Sequence, residues 1–177
     1  MILYQELERA QAPVGDGRIW RDWQAGLPGP VTLKAIHRVI PGVYHGPAFD
    51  AVWMVLALQA ALPGRFAYRG KVGIGAAAAQ SANEHRVQKI VTAARQGRRE
   101  TLLNTLVEIA KTTRPHAGAV RLGMKNWVED TANALSGDPD KVATVCRRWT
   151  VEYSMDINKQ LDSDQGEEEE EMADAHA

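Results

Sequence analysis

Ser81-Ala82-Asn83-Glu84-His85-Arg86-Val87-Gln88-Lys89-Ile90-Val91-Thr92-Ala93-Ala94-Arg95 is the stretch that decides the fold. Val87, Ile90, Val91 and Ala94 fall at i, i+3, i+4 and i+7, which is one apolar stripe of an α-helix. Ser81 and Glu84 stand at capping-box spacing, so the serine oxygen can accept from the Glu84 amide while the carboxylate reaches back. Arg86 and Lys89 lie off the stripe. Gly97 breaks the run, and Arg99–Thr113 resumes helical spacing with Leu102, Leu103, Leu106, Ile109 and Ala110 facing inward.

The same grammar extends in both directions. Toward the N-terminus, Pro63-Gly64 closes Ala48–Leu62, the most hydrophobic segment and the expected central helix. Val31–Val39 precedes it, with Leu33, Ile36 and Ile40 inward and Pro41-Gly42 as its stop. Arg18–Ala25 is a short helix carrying Trp20 and Trp23, broken by Pro28-Gly29-Pro30. Ile2–Gln11 reads as a first helix. Arg65–Gly75 reads as a basic, Gly-rich loop. Toward the C-terminus, Ala117–Leu135 reads as a helix with Val120, Met124, Trp127 and Val128 on one face and Arg121 and Lys125 on another. Asp138-Pro139 then opens the last helix, with an acid at the cap and proline in the first turn. Its stripe is Val142, Val145, Cys146, Trp149 and Tyr153.

No segment sustains period-two alternation, so the expected fold is all-α. It is a helical bundle of two packed lobes with a disordered acidic C-terminal tail. Residues 1–17 form an N-terminal helical extension, 18–160 the helical domain with lobes at about 18–95 and 98–160, and 161–177 the tail. That tail lacks aromatic residues and cannot bury enough surface to offset its ordering entropy. No apolar run is long enough to span a membrane. The N-terminus lacks the basic start and apolar stretch of a secretory signal, and the single cysteine, Cys146, precludes an internal disulfide. These features suit the cytoplasm.

A formal net charge of −1 conceals strong segregation. Eight of the 22 acids lie after residue 160, leaving 14 against all 21 Lys and Arg in the body of the chain. Between Arg65 and Lys125 there are twelve cations against Glu84, Glu100 and Glu108. Such an excess concentrates anions nearby and steers polyanions inward. The candidate nucleic-acid-binding residues are therefore Arg86, Lys89, Arg95, Arg98, Arg99, Lys111, Arg114, Arg121 and Lys125. The competing reading is a solvated charged surface.

Other constellations favour ordinary structural roles. Gly73-x-Gly75 is followed by alanines, without the third glycine or the Gly-Lys-Ser/Thr of a phosphate loop, so close helix packing is the better reading. His37, His45, His85, His116 and His176 include no i, i+4 pair and no second cysteine, and no metal site is expected. Cys146 faces the core rather than acting as a nucleophile. Glu129 and Asp130 are adjacent and point to different sides of a helix, which reads as solvated surface. Trp53, Trp127 and Trp149 lie on core stripes. Trp20 and Trp23 could cover a core edge or meet a partner. No catalytic residue and no cofactor are expected.

The ordered set Trp23-Gln24, Pro47-Ala48-Phe49, Ser81-Ala82-Asn83-Glu84-His85-Arg86, Leu102-Leu103-x-x-Leu106, Leu122–Trp127 and Arg147-Arg148-Trp149-x-x-x-Tyr153 resembles the CasB-type small subunit of the type I-E CRISPR Cascade complex. The resemblance runs from about Arg18 to Asp156. The first seventeen residues and the polyacidic tail lie outside it, and Lys34 and Arg38 stand where the family usually has paired arginines. It implies two packed helical bundles without enzymatic activity, paired with a second copy in the complex. It also implies contact with the backbone and large subunits that hold guide RNA, and stabilisation of the R-loop and displaced strand of target DNA. Arg86 matches the family's Glu-x-Arg segment, and Arg147 and Arg148 match its terminal motif. A helical adaptor whose basic face meets an acidic protein is the alternative.

Overall fold

A computed structural model describes the backbone of residues 1–9, 17–81, 85–113 and 121–174, and side chains through residue 159 with Glu8 excepted. Among the described residues the fold is all-α apart from two short strands. In chain order the elements are α1 (Tyr4–Arg9), α2 (Arg18–Ala25), α3 (Pro30–Val39), α4 (Pro47–Ala61), β1 (Phe66–Ala67), α5 (Ile74–Ala79), α6 (Arg86–Arg95), α7 (Arg99–Thr112), β2 (Leu122–Gly123), α8 (Met124–Ala134) and α9 (Pro139–Asp174). No described helix is long and apolar enough to cross a membrane.

Helix α4 is central because it has no polar side: Phe49 and every residue from Ala51 to Gln59 are buried. It packs against α2, α3, α7 and α8, while α9 lies along α5, α6 and α8. One continuous core results, running from Leu7 to Trp149. The two lobes of the sequence reading therefore share a core, with α4 of one on α8 of the other. The N-terminal extension joins it too. Leu7 is fully buried, and the Leu3 amide donates to the Val39 carbonyl at 2.7 Å.

Helix ends follow local chemistry. Pro30 and Pro47 occupy first-turn positions, where the missing N–H would have no intrahelical acceptor. Asp138 Oδ1 accepts from the Asp140 and Lys141 amides at 3.0 and 3.3 Å, the expected cap of α9. The predicted capping box falls largely on residues 82–84, outside the described residues. Ser81 Oγ donates backward to the Ala78 carbonyl at 2.7 Å. The acidic tail likewise falls where side chains lie outside the described residues.

Two expectations are corrected. Arg65–Gly75 is more than a loop: Phe66 and Ala67 pair in parallel with Leu122 and Gly123, and α5 begins at Ile74. The helix expected over Ala117–Leu135 starts at Met124 instead. Arg121 precedes the strand, so Arg121 and Lys125 do not share a helix face. Residues 114–120, including Val120, lie outside the described residues. Local propensity could not reveal this arrangement because the strand pair exists only through a contact between distant segments. That contact leaves no room beside Gly70, where a Cβ would strike the Leu122 carbonyl.

Gly75 has the same character. A Cβ there would run into the backbone of Trp149 on α9, and the Gly75 amide donates to Glu152 Oε2 at 3.0 Å. The small residues after Gly73 let α5 lie close against α9, as the packing reading of this stretch expected.

Candidate nucleic-acid interface

Helices α6 and α7 form an antiparallel hairpin. Gly97, at φ +62°, makes the turn that a side chain would strain, and the Arg98 amide closes α6 on the Ala93 carbonyl at 2.9 Å. Val87, Ile90, Ala93 and Ala94 of α6 are buried, as are Leu102, Leu103, Leu106, Ile109 and Ala110 of α7. Outside this apolar seam runs a polar groove. His85, Arg86, Lys89, Asn104, Thr105 and Glu108 line one end. Gln88, Lys89, Thr92, Gln96, Arg98 and Thr101 line the stretch toward the turn. The ten residues of α6 make it about 15 Å long at ~1.5 Å per residue.

Three of the nine sequence-predicted cations, Arg86, Lys89 and Arg98, line this groove. Arg86 Nη1 donates to Thr112 Oγ1 and, at 3.4 Å, to the Glu108 carbonyl. It thereby staples the start of α6 to the end of α7 and holds its guanidinium in place. A guanidinium carries five N–H donors, so this leaves others for an anion. Lys89 and Arg98 are exposed and form no ion pair with any described residue. The groove's acid, Glu108, faces Lys111 at 3.6 Å.

The remaining predicted residues are dispersed. Arg99 is held by Asp50 in a two-pronged pair, Nε to Oδ2 and Nη2 to Oδ1, both 2.7 Å. Arg95 reaches the Cys146 thiol across α6 and α9. Burial pushes that thiol up, and the guanidinium partly opposes the shift. Lys111 lies 5.0 Å over the Trp20 ring. Lys125 faces Glu129 at 3.9 Å and the Tyr4 ring at 5.8 Å. Tyr4 in turn donates to Glu129 at 3.0 Å, and burial with that carboxylate holds its hydroxyl well above the usual phenol range. Arg121 is exposed beside β2. Arg114 lies outside the described residues.

Asp130 corrects the solvated-surface reading of Glu129-Asp130. It is 1 % exposed, accepting from Arg148 Nη1 at 2.6 Å and from Trp149 Nε1 at 3.1 Å. The adjacency of two acids hid this, because the partners lie on another helix. The signal was the Arg148-Trp149 pair itself, two donors that need one acceptor. Burial pushes Asp130 up to about 6, against the opposing pull of Arg148 and Trp149. Among the described residues, no three side chains of metal-ligating type gather. Trp53, Trp127 and Trp149 are buried in the core, and Trp23 meets Trp53 edge-on at 5.0 Å.

Beyond the Arg98 end of the groove opens a cleft of about 710 Å³. Four separate segments build it: Pro28 and Leu33 around the start of α3, the run from Tyr44 into the first turns of α4, the α6–α7 turn, and the end of α8. Phe49, Trp53, Ala93, Ala94 and Leu102 supply apolar walls, and Asp50, Arg98 and Arg99 supply charge. Sequence reading missed this cleft because no single segment carries it.

Compared with known proteins, the chain matches no family model, no curated protein and no solved structure at a significant level.

Proposed function

We propose that the chain is a non-catalytic small subunit of a CRISPR Cascade-type surveillance complex, and that the α6–α7 groove is its track for nucleic-acid backbone. The observation that carries the phosphate-binding part is the groove itself. Its exposed cations Lys89 and Arg98 lack ion-pair partners among the described residues, and Arg86 is positioned at its far end. Phosphate contacts need positive charge and donors at regular spacing, and carry no sequence information. A track of about 15 Å is long enough to meet a short run of successive backbone phosphates. Gln88, Gln96, Thr101 and Asn104 add neutral donors along it. Exchange of one duplex for a guide–target heteroduplex is nearly balanced, so a few such contacts suffice to favour the opened state. The CRISPR assignment rests on the ordered motif resemblance from Arg18 to Asp156.

Within that reading the partners are target DNA, the backbone and large subunits with their guide RNA, and a second copy of this chain. Reconstitution with guide RNA tests it. R-loop yield should fall when Lys89 and Arg98 are both changed to alanine. Unchanged yield with the double variant incorporated counts against the proposal.

One observation favours the protein-adaptor alternative. Val151 and Met155, four apart on α9, are 51 % and 57 % exposed, an apolar pair suited to a protein partner. Binding to an acidic protein with no retention on DNA would favour that reading.

A further inference from the structure

We infer that the 710 Å³ cleft at the end of the groove receives one unstacked nucleobase of a single strand whose phosphates follow the α6–α7 track; this rests on the backbone-binding reading. Three observations carry it. First, the two features are continuous: Ala93 and Arg98 line both the groove and the cleft. A strand leaving the groove passes Arg98, which has no ion-pair partner among the described residues and so has charge available for a phosphate at the mouth. Second, the cleft has the character that a base and its sugar require. Its volume lies within the range of about 300–1,000 Å³ usual for small-ligand sites, and its walls are apolar and aromatic. Tyr44 stands at its edge, 68 % exposed, its ring held edge-on by His37 at 4.5 Å. A large aromatic fixed on one side and open on the other is a stacking platform, and such platforms accept any base. Third, the cleft holds hydrogen-bonding capacity. Asp50 and Arg99 form part of its wall with their mutual bonds using only part of each group. The indole N–H of Trp53, which also lines the cleft, is buried and has no hydrogen-bond partner among the described residues.

The ligand class is therefore single-stranded nucleic acid, and duplex should use the groove without the cleft. The experiment measures binding of the full chain to a short single-stranded DNA carrying the fluorescent base 2-aminopurine, and to a duplex of matching length. It compares wild type with Tyr44→Ala, Tyr44→Phe and Lys89→Ala, with folding checked by circular dichroism. Tyr44→Ala should weaken single-strand binding by about 5- to 150-fold, the range that ~1–3 kcal/mol of stacking gives. It should leave duplex binding unchanged and alter the probe's fluorescence in the complex. Tyr44→Phe should restore both. Lys89→Ala should weaken single-strand and duplex binding alike. If Tyr44→Ala binds single strand as wild type does while Lys89→Ala is weakened, the cleft inference is overturned and the backbone track stands. If neither variant differs from wild type, or wild type binds neither nucleic acid, both are overturned.

Discussion

Arg99 and Asp50 are 49 residues apart in sequence and joined by two hydrogen bonds of 2.7 Å, which tie the first turn of α7 to the first turn of α4. Beside them, Arg98 caps the same helix with its charge unpaired among the described residues. Two neighbouring arginines that look equivalent in sequence thus have different work. Both line the cleft, but Arg99 fastens the hairpin to the central helix, and Arg98 alone of the two also lines the groove.

That division predicts opposite signatures. Arg99→Ala leaves Asp50, whose side chain is only 13 % exposed, without its two-pronged partner and should cost about 1 kcal/mol, a fall of roughly 2–4 °C in Tm for a chain of this size. Arg98→Ala should leave Tm unchanged. It should weaken DNA binding across sequences and reduce the slope of log K against log salt by about 0.7 per lost single-strand phosphate contact. Thermal denaturation and a salt titration of both variants check this, and identical behaviour would refute the division.

Asp130 makes stability depend on pH in a defined direction. Its carboxyl titrates near 3.8 when unperturbed and at about 6 in the folded chain, so the folded state binds the proton more readily. Its contribution is therefore greatest below about pH 4, declines as pH rises, and levels off above about pH 6. The fall is on the order of 2–3 kcal/mol. Burial also raises Glu152, which adds a decline of the same sign, while Arg148 opposes both shifts. Denaturant titrations from pH 4 to 7 should show a shallower decline for Asp130→Asn than for wild type. Parallel curves would contradict the assignment.

Removing the acceptor altogether is a separate test. Asp130→Ala leaves the buried Trp149 indole N–H without its carboxylate, which costs roughly 1–3 kcal/mol. Arg148 is half exposed and can turn to water. The loss should therefore be largely recovered by Asp130→Asn, which keeps an acceptor for Trp149.

Gly75→Ala should destabilise by roughly 1–3 kcal/mol even though alanine is the better helix former. Its methyl group meets the Trp149 carbonyl, which is backbone and cannot rotate away. Separation of α5 from α9 would also stretch the Gly75–Glu152 bond. Chemical denaturation reads the change, and a stabilised variant would show that the two helices are not held at this distance.

The sequence places eight acids after residue 160, opposite in sign to the track. Deleting residues 162–177 should tighten non-specific DNA binding, with the gain shrinking as salt screens both charges. Equal affinities at low salt would remove any competing role for the tail.

Much of the fold was legible because proline and glycine punctuate it. Pro28-Gly29-Pro30, Pro41-Gly42, Pro63-Gly64 and Ser136-Gly137 bound helices that the structure places within a residue or two. The core faces of α6, α7 and α9 followed from helical period. The β1–β2 pair, α5 and the true start of α8 were not legible, since Phe66, Gly70 and Leu122 acquire their conformations from one another. The basic segment was legible as a charge excess but not as geometry. Only folding shows that Arg86, Lys89 and Arg98 line one groove while Arg99 is committed to Asp50. The cleft was invisible for the same reason, because Tyr44, Phe49, Arg98 and Leu135 come together from distant positions.

The most direct measurement is binding of the purified chain to labelled single- and double-stranded DNA across a salt series, for wild type and for Lys89→Ala with Arg98→Ala. Phosphate binding on this hairpin should be sequence-independent and weaken steeply with salt, with a lower affinity and a shallower salt slope in the double variant. Wild-type binding that is insensitive to salt, or a double variant that matches wild type, would contradict a phosphate track on the α6–α7 hairpin.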